Sequence, residues 1–161
     1  MEMRVLPLMH LQAVLTQAFC ASGAAYTVTT SSQQASSLLQ AIYSAGHRLV
    51  LFSNQSLIKA VPNEQHQQDF QHKLASIMSR LGVPATAFIA TLRDGNRKPR
   101  LGMWSLFTNE YNGHEPVDLM RSFYVGDAAG RPGDHSADDA NFARAIGLPF
   151  LLPEQVFGIA E

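Results

Sequence analysis

The chain has 161 residues, 46% of them hydrophobic and 16% charged, and a formal net charge of −1 with its six histidines neutral. That length suits one domain burying roughly two thirds of its unfolded surface. The composition excludes wholesale disorder and a generally basic nucleic-acid binder, though not a local basic patch. The single cysteine, Cys20, excludes a disulfide framework and a Cys-rich zinc site and fits an intracellular protein. No apolar run approaches the roughly 20 residues of a membrane helix, so no membrane partner is expected. The stretch from Val5 to Ala21 is broken by Gln12, Thr16 and Gln17 and makes a poor signal peptide.

In chain order, residues 27–37 are small and polar and read as a loop running into a helix. Leu38, Leu39, Ile42 and Tyr43 then follow helical spacing, with Gly46 as the stop. Leu49-Val50-Leu51-Phe52 is a short apolar run ending at Ser53-Asn54-Gln55, which favours a buried strand. Phe70, Leu74, Ile77, Met78 and Leu81 form one apolar helical stripe, capped by Asn63 and ended by Gly82. Ala87 to Thr91 reads as a second strand, and a basic loop follows with Arg93, Arg97, Lys98 and Arg100. Leu101 to Tyr111 reads as a helix with Trp104 and Phe107 on one side; Met103 and Trp104 are expected in the core rather than as a base-stacking platform. Ser122 to Val125 is a third strand ending at Gly126-Asp127. A helix from Ser136 to Ile146 is capped by Ser136, with Asp139 placed as in a capping box, and Gly147 stops it. Pro149 to Leu152 is the fourth strand.

Strands alternating with helices imply a parallel sheet covered on both faces, an α/β three-layer sandwich. Ligands of such sheets gather at the C-terminal strand ends, where Ser53, Thr91 and Asp127 fall. Asp127 suits a hard cation, Lys98 an anionic phosphate, and Ser53 a phosphoryl oxygen. Each has an ordinary reading too, as a loop acid, a wet surface charge and a turn residue. A hydroxyl, a lysine and an aspartate at successive strand ends together describe a site for phosphoryl chemistry. The six histidines show no metal-ligand spacing and read as surface or capping residues.

The stretch Gly46-His47-Arg48-Leu49-Val50-Leu51-Phe52-Ser53-Asn54-Gln55 resembles the second motif of the polynucleotide 3′-phosphatases, in the haloacid dehalogenase superfamily. Leu81-Gly82-Val83-Pro84, Ala90-Thr91, Arg97-Lys98-Pro99 and Gly102-Met103-Trp104 are similar to the third motif region. Tyr124-Val125-Gly126-Asp127-Ala128-Ala129-Gly130-Arg131-Pro132 is similar to the fourth, and matches continue through Asp134-His135-Ser136, Asp139, Phe142-Ala143 and Gly147 to Phe150. The resemblance is collinear over residues 38–157 and leaves residues 1–37 as a poorly matching segment of a single 1–161 domain. It implies a haloacid dehalogenase-like fold without a large cap, removal of 3′-phosphate from DNA ends, a Mg2+ cofactor and a nuclear location. By position, Ser53 would hold the phosphoryl oxygens, Lys98 would balance charge and Asp127 would bind the metal. Asp134 and Asp139 would support the metal or order the loop around Arg131, and Asn54, Arg97, Arg100 and Arg131 would contact phosphate or DNA. The resemblance leaves any protein partner unknown, and no kinase half is expected, since its phosphate loop does not occur in these residues.

The family's first motif, Asp-x-Asp-Gly-Thr, has no counterpart, because no aspartate precedes Asp69. In the best register, Ala18 to Ala24, Cys20 stands at the nucleophile position and Ser22 at the acid/base position; a rival register at Val5 to Leu11 offers no carboxylate. Loss of the acid/base alone costs about 10²–10⁴ in rate. Cys20 lacks the Cys-x5-Arg loop of a cysteine phosphatase, since Tyr26 stands where the arginine belongs. Mg2+ binding is accordingly expected to be weak. Two explanations stay open: a homologue that kept the scaffold and lost the nucleophile, or a chain whose true first strand is absent. Two functions stay open with them, an impaired phosphatase and a non-catalytic module that binds phosphate, DNA ends or a repair partner.

Overall fold

The computed structural model describes residues 32–55 and 64–157. The expected cap Asn63, the segment 13–26 with Cys20 and Ser22, and the side chains of Ile77, Met78 and Leu81 lie outside what it describes.

Helix α1 spans Ser32–Ser44 and strand β1 Leu49–Asn54. The helix begins inside the small polar run read as a loop running into a helix, where Gln and Ala carry good helix propensity without an apolar stripe. Gly46 ends the helix as expected, at φ 90°. Helix α2 spans Glu64–Leu81 and leads to β2, Ala85–Ala90. After the basic loop, α3 spans Gly102–Leu106 and widens into a π-turn at Phe107–Tyr111. Strand β3 is Tyr124–Val125, shorter than the expected Ser122 to Val125; before it, the Ser122 hydroxyl donates to the Asp118 carbonyl at 2.6 Å. Helix α4 (Asp138–Ile146), β4 (Phe150–Leu151) and α5 (Pro153–Phe157) complete the described chain.

Strand β1 pairs in parallel with β2, from Leu49 opposite Ala85 to Asn54 opposite Ala90, and β3 pairs in parallel with β4. Helices α2 and α4 make the two crossovers that parallel pairing requires. Alternation along the strands sorts side chains to two faces. Val50, Phe52 and Tyr124 join Phe88, Met103, Phe107 and Phe142 in one core, with Trp104 packed against it. Leu49 and Val125 face the other way, onto Leu39 of α1 and Phe157 of α5. The result is the expected three-layer α/β sandwich, and among the described residues no cap domain is inserted. Ser53 and Asn54 end β1 and Asp127 follows β3; Asn54 reaches Asp138 at the start of α4 and Lys98 reaches Phe52 and Tyr124, so these two strand ends share one rim.

Candidate active site

Lys98 sits in an irregular loop, yet it is only 3% exposed. Its ammonium has three protons, and three acceptors meet it: the Phe52 carbonyl at 2.7 Å, the Tyr124 hydroxyl at 3.2 Å and Asp139 Oδ1 at 2.6 Å. Asp139, 1% exposed, accepts the Tyr124 hydroxyl on Oδ1 at 3.0 Å and the Ala128 amide on Oδ2 at 3.2 Å. The pair can stay charged in the interior because each group is both paired and hydrogen-bonded. Gly126 makes the approach possible, since a Cβ there would lie 2.6 Å from the Asp139 carboxylate.

This arrangement corrects the sequence reading of Asp139. It neither completes a capping box nor stands free for a metal, because its carboxylate turns inward to Lys98. Helix α4 starts two residues later than expected, with Ala137 before it; the Ser136 hydroxyl still accepts the Asp138 amide at 3.3 Å.

Asp127 follows β3 at the rim. Its carboxyl is pushed above the ordinary value of 3.8, first by burial and then by the nearby charge of Asp139. Its own backbone amide, His135 and Lys98 partly offset this. Oδ1 is buried and has no hydrogen-bond partner. A desolvated, unpartnered carboxylate oxygen fits a hard cation, which would restore its charge balance. The other expected ligands are engaged elsewhere: Asp139 by Lys98, and Asp134 by the amides of Ala129 and Arg131 and the Arg131 guanidinium. Among the described residues no three His, Cys, Asp or Glu side chains gather to hold a metal.

The end of β1 delivers three polar side chains in sequence. Gln55, buried, donates its amide to Ser53 Oγ at 3.0 Å, so the serine oxygen is an acceptor there. Asn54, expected at phosphate or DNA, lies instead against the Lys98 backbone. Its Oδ1 accepts the Lys98 amide at 2.9 Å, and its Nδ2 donates to the Lys98 carbonyl at 3.2 Å and to Asp138 Oδ2 at 3.4 Å.

The expected DNA-contacting arginines divide into two groups. Arg100 and the half-buried Arg97 lie in the Lys98 loop, where Arg100 donates to the Asp94 carbonyl at 2.8 Å. Arg131 is held by Asp134 and by Glu154 of α5, at 3.2 and 2.5 Å. Its hydrogen bond lowers the Asp134 carboxyl below its ordinary range and raises the guanidinium. Of the two roles expected of Asp134, this one orders the loop.

Sequence reasoning overlooked Tyr124, Gln55 and His135. A signal for Tyr124 did exist: it lies two residues before Gly126 on a buried strand, so it faces the same side as the cleft that Gly126 opens for Asp139. Nothing in residue type marks His135, an exposed side chain that acts on Asp127 through charge.

The sequence profile of the family described as "Polynucleotide kinase 3 phosphatase" matches residues 13–157. The chain is 44% identical over 119 residues to the bifunctional polynucleotide phosphatase/kinase of Schizosaccharomyces pombe, covering 74% of this chain and 28% of that protein. It is 39% identical over 131 residues to the polynucleotide 3'-phosphatase ZDP of Arabidopsis thaliana, covering 74% of this chain and 19% of that protein. The chain thus spans less than a third of either relative. In fold it is similar to the crystal structure of D,D-heptose 1.7-bisphosphate phosphatase from B. bronchiseptica complexed with magnesium and phosphate. That likeness has a TM-score of 0.59 at 19% identity, covering 94% of this chain and 89% of the other. The fold is of the haloacid dehalogenase type.

Proposed function

The chain belongs to the polynucleotide kinase 3 phosphatase family, and on that premise we propose that it acts on 3′-phosphate at the ends of DNA strands. The observation that supports this reading is a buried lysine bonded to the carbonyl of Phe52, the residue before Ser53, with its charge acting on an aspartate whose carboxylate has an unpartnered oxygen. In this reading Ser53 donates its hydroxyl proton to a phosphoryl oxygen. Lys98 supplies fixed positive potential beneath the phosphate, while its own protons stay with Phe52, Tyr124 and Asp139. Asp127 would hold Mg2+ through Oδ1. Magnesium commonly takes one or two carboxylates together with water and phosphate oxygens, so a single protein carboxylate suits it. When bound, the cation would neutralise charge on the phosphoryl group. Arg97, Arg100 and Arg131 would meet the DNA backbone, and a nuclear location belongs to the same proposal. The described residues contain no helix long and apolar enough to cross a membrane.

The absence of any aspartate before Asp69 favours a second reading, a module that holds a phosphorylated DNA end without turnover. One assay separates the two: Mg2+-dependent phosphate release from a 3′-phosphorylated oligonucleotide, comparing the chain with Asp127→Ala and Lys98→Ala. Release that is lost in both variants supports the enzyme. Absence of release, with DNA binding that weakens on Arg97→Ala and with rising salt, supports the module. In that case Cys20→Asp with Ser22→Asp should restore turnover.

A further inference from the structure

We infer that Asn54 is a positioning residue for Lys98, fixing where the buried ammonium stands at the rim. The inference rests on the phosphatase reading and deepens it. The Lys98 loop is braced by turn bonds from the amides of Arg97, Arg100 and Gly102 to the carbonyls of Asp94, Arg97 and Gly95, but none of these uses the amide or carbonyl of Lys98 itself. Asn54 supplies that anchor at the rigid end of β1. Its carboxamide offers the same donor and acceptor as a peptide group. It uses them on both sides of one Cα, accepting the Lys98 amide at 2.9 Å and donating to the Lys98 carbonyl at 3.2 Å. The second amide proton reaches Asp138 Oδ2 at 3.4 Å, which ties the same strand end to the first turn of α4, next to Asp139. The amide orientation follows from the network, because the reversed group would set an NH₂ against the Lys98 N–H. Serine has no such fork and aspartate has no donor. Both amide protons are engaged, so Asn54 acts through Lys98 and not on the substrate.

The test compares Asn54→Ala and Asn54→Asp in the full chain with two readouts. The first is steady-state phosphate release from a 3′-phosphorylated oligonucleotide with Mg2+. The second is solvent exchange of the Lys98 ammonium protons by ¹⁵Nζ NMR, with a melting curve for each variant. Asn54→Ala should lower kcat about a hundredfold with KM within about twofold, since a misplacement of about 1 Å costs that much. It should also speed Lys98 exchange at least about tenfold while the chain stays folded. Asn54→Asp, which keeps the acceptor for the Lys98 amide, should fall between wild type and Asn54→Ala in both. A raised KM with unchanged kcat would make Asn54 a substrate contact and overturn the inference. Unchanged Lys98 exchange in a folded variant would overturn it too. A wild-type chain without turnover defeats the phosphatase reading alone, and Lys98 exchange then still decides the role of Asn54.

Discussion

Lys98 and Asp139 form an ion pair of 2.6 Å between side chains that are 2% and 1% exposed. Removing one member leaves the other as an uncompensated buried charge, at a cost of about 3–5 kcal/mol. Asp139→Ala should therefore lower the unfolding free energy by about that amount in urea melts. The double variant Lys98→Met with Asp139→Leu should recover most of the stability, because an apolar pair of similar volume avoids the desolvation cost. It should not recover phosphate release.

Gly126→Ala tests the same contact from the strand side. The added methyl would lie 2.6 Å from the Asp139 carboxylate. Overpacking of this kind costs about 1–3 kcal/mol. Because the displaced group is the partner of Lys98, phosphate release should fall along with stability, as joint melting and turnover measurements would reveal.

Asp127 should behave as a destabilising charge in the metal-free protein. Its folded carboxyl binds protons more tightly than the unfolded one, whose value is near 3.8. Between those two values the native state holds more protons, so its contribution to stability falls as pH rises through the folded pKa. Asp127→Asn should thus melt at a higher temperature than wild type at neutral pH in EDTA. The difference should close in acid below the ordinary carboxyl value. Adding Mg2+ should raise the wild-type melting temperature more than that of the variant.

Asp134 has the opposite sign. Arg131 holds its carboxyl below the ordinary value of 3.8, so its stabilisation is present above that value and disappears as pH falls through the folded one. Asp134→Ala should be slightly less stable than wild type at neutral pH, and the gap should vanish in strong acid. Amide exchange at Ala129 and Arg131, both donors to this carboxylate, should quicken in the variant.

Much of this architecture is readable from residue order. Leu49 to Phe52 announced a buried strand because four apolar residues stand between a helix-stopping glycine and a polar tripeptide. Gly46, Gly82 and Gly147 marked helix ends and adopt positive φ there. The first residue of α1 was not marked, because helix propensity without an apolar stripe looks like a loop. At the site, the positions of Ser53 at the end of β1, Lys98 in the loop after β2 and Asp127 after β3 were legible. The destinations of Asp139 and Asn54 were not. A capping box and an inward-facing ion pair place an aspartate at the same helical position, and what separates them is a lysine 41 residues away along the chain. Asn54 likewise looks like any polar strand-end residue until the loop carrying Lys98 folds over it.

The Lys98 ammonium touches the backbone of β1, a hydroxyl on β3 and a carboxylate on α4. Those strands belong to different parallel pairs, and neither pair can peel away without exposing a charge that the other neutralises. The two halves of the domain are therefore obliged to come apart in one concerted step. Intrinsic fluorescence from Trp104, near β1, and near-ultraviolet dichroism from Tyr124, on β3, should trace superimposable unfolding curves.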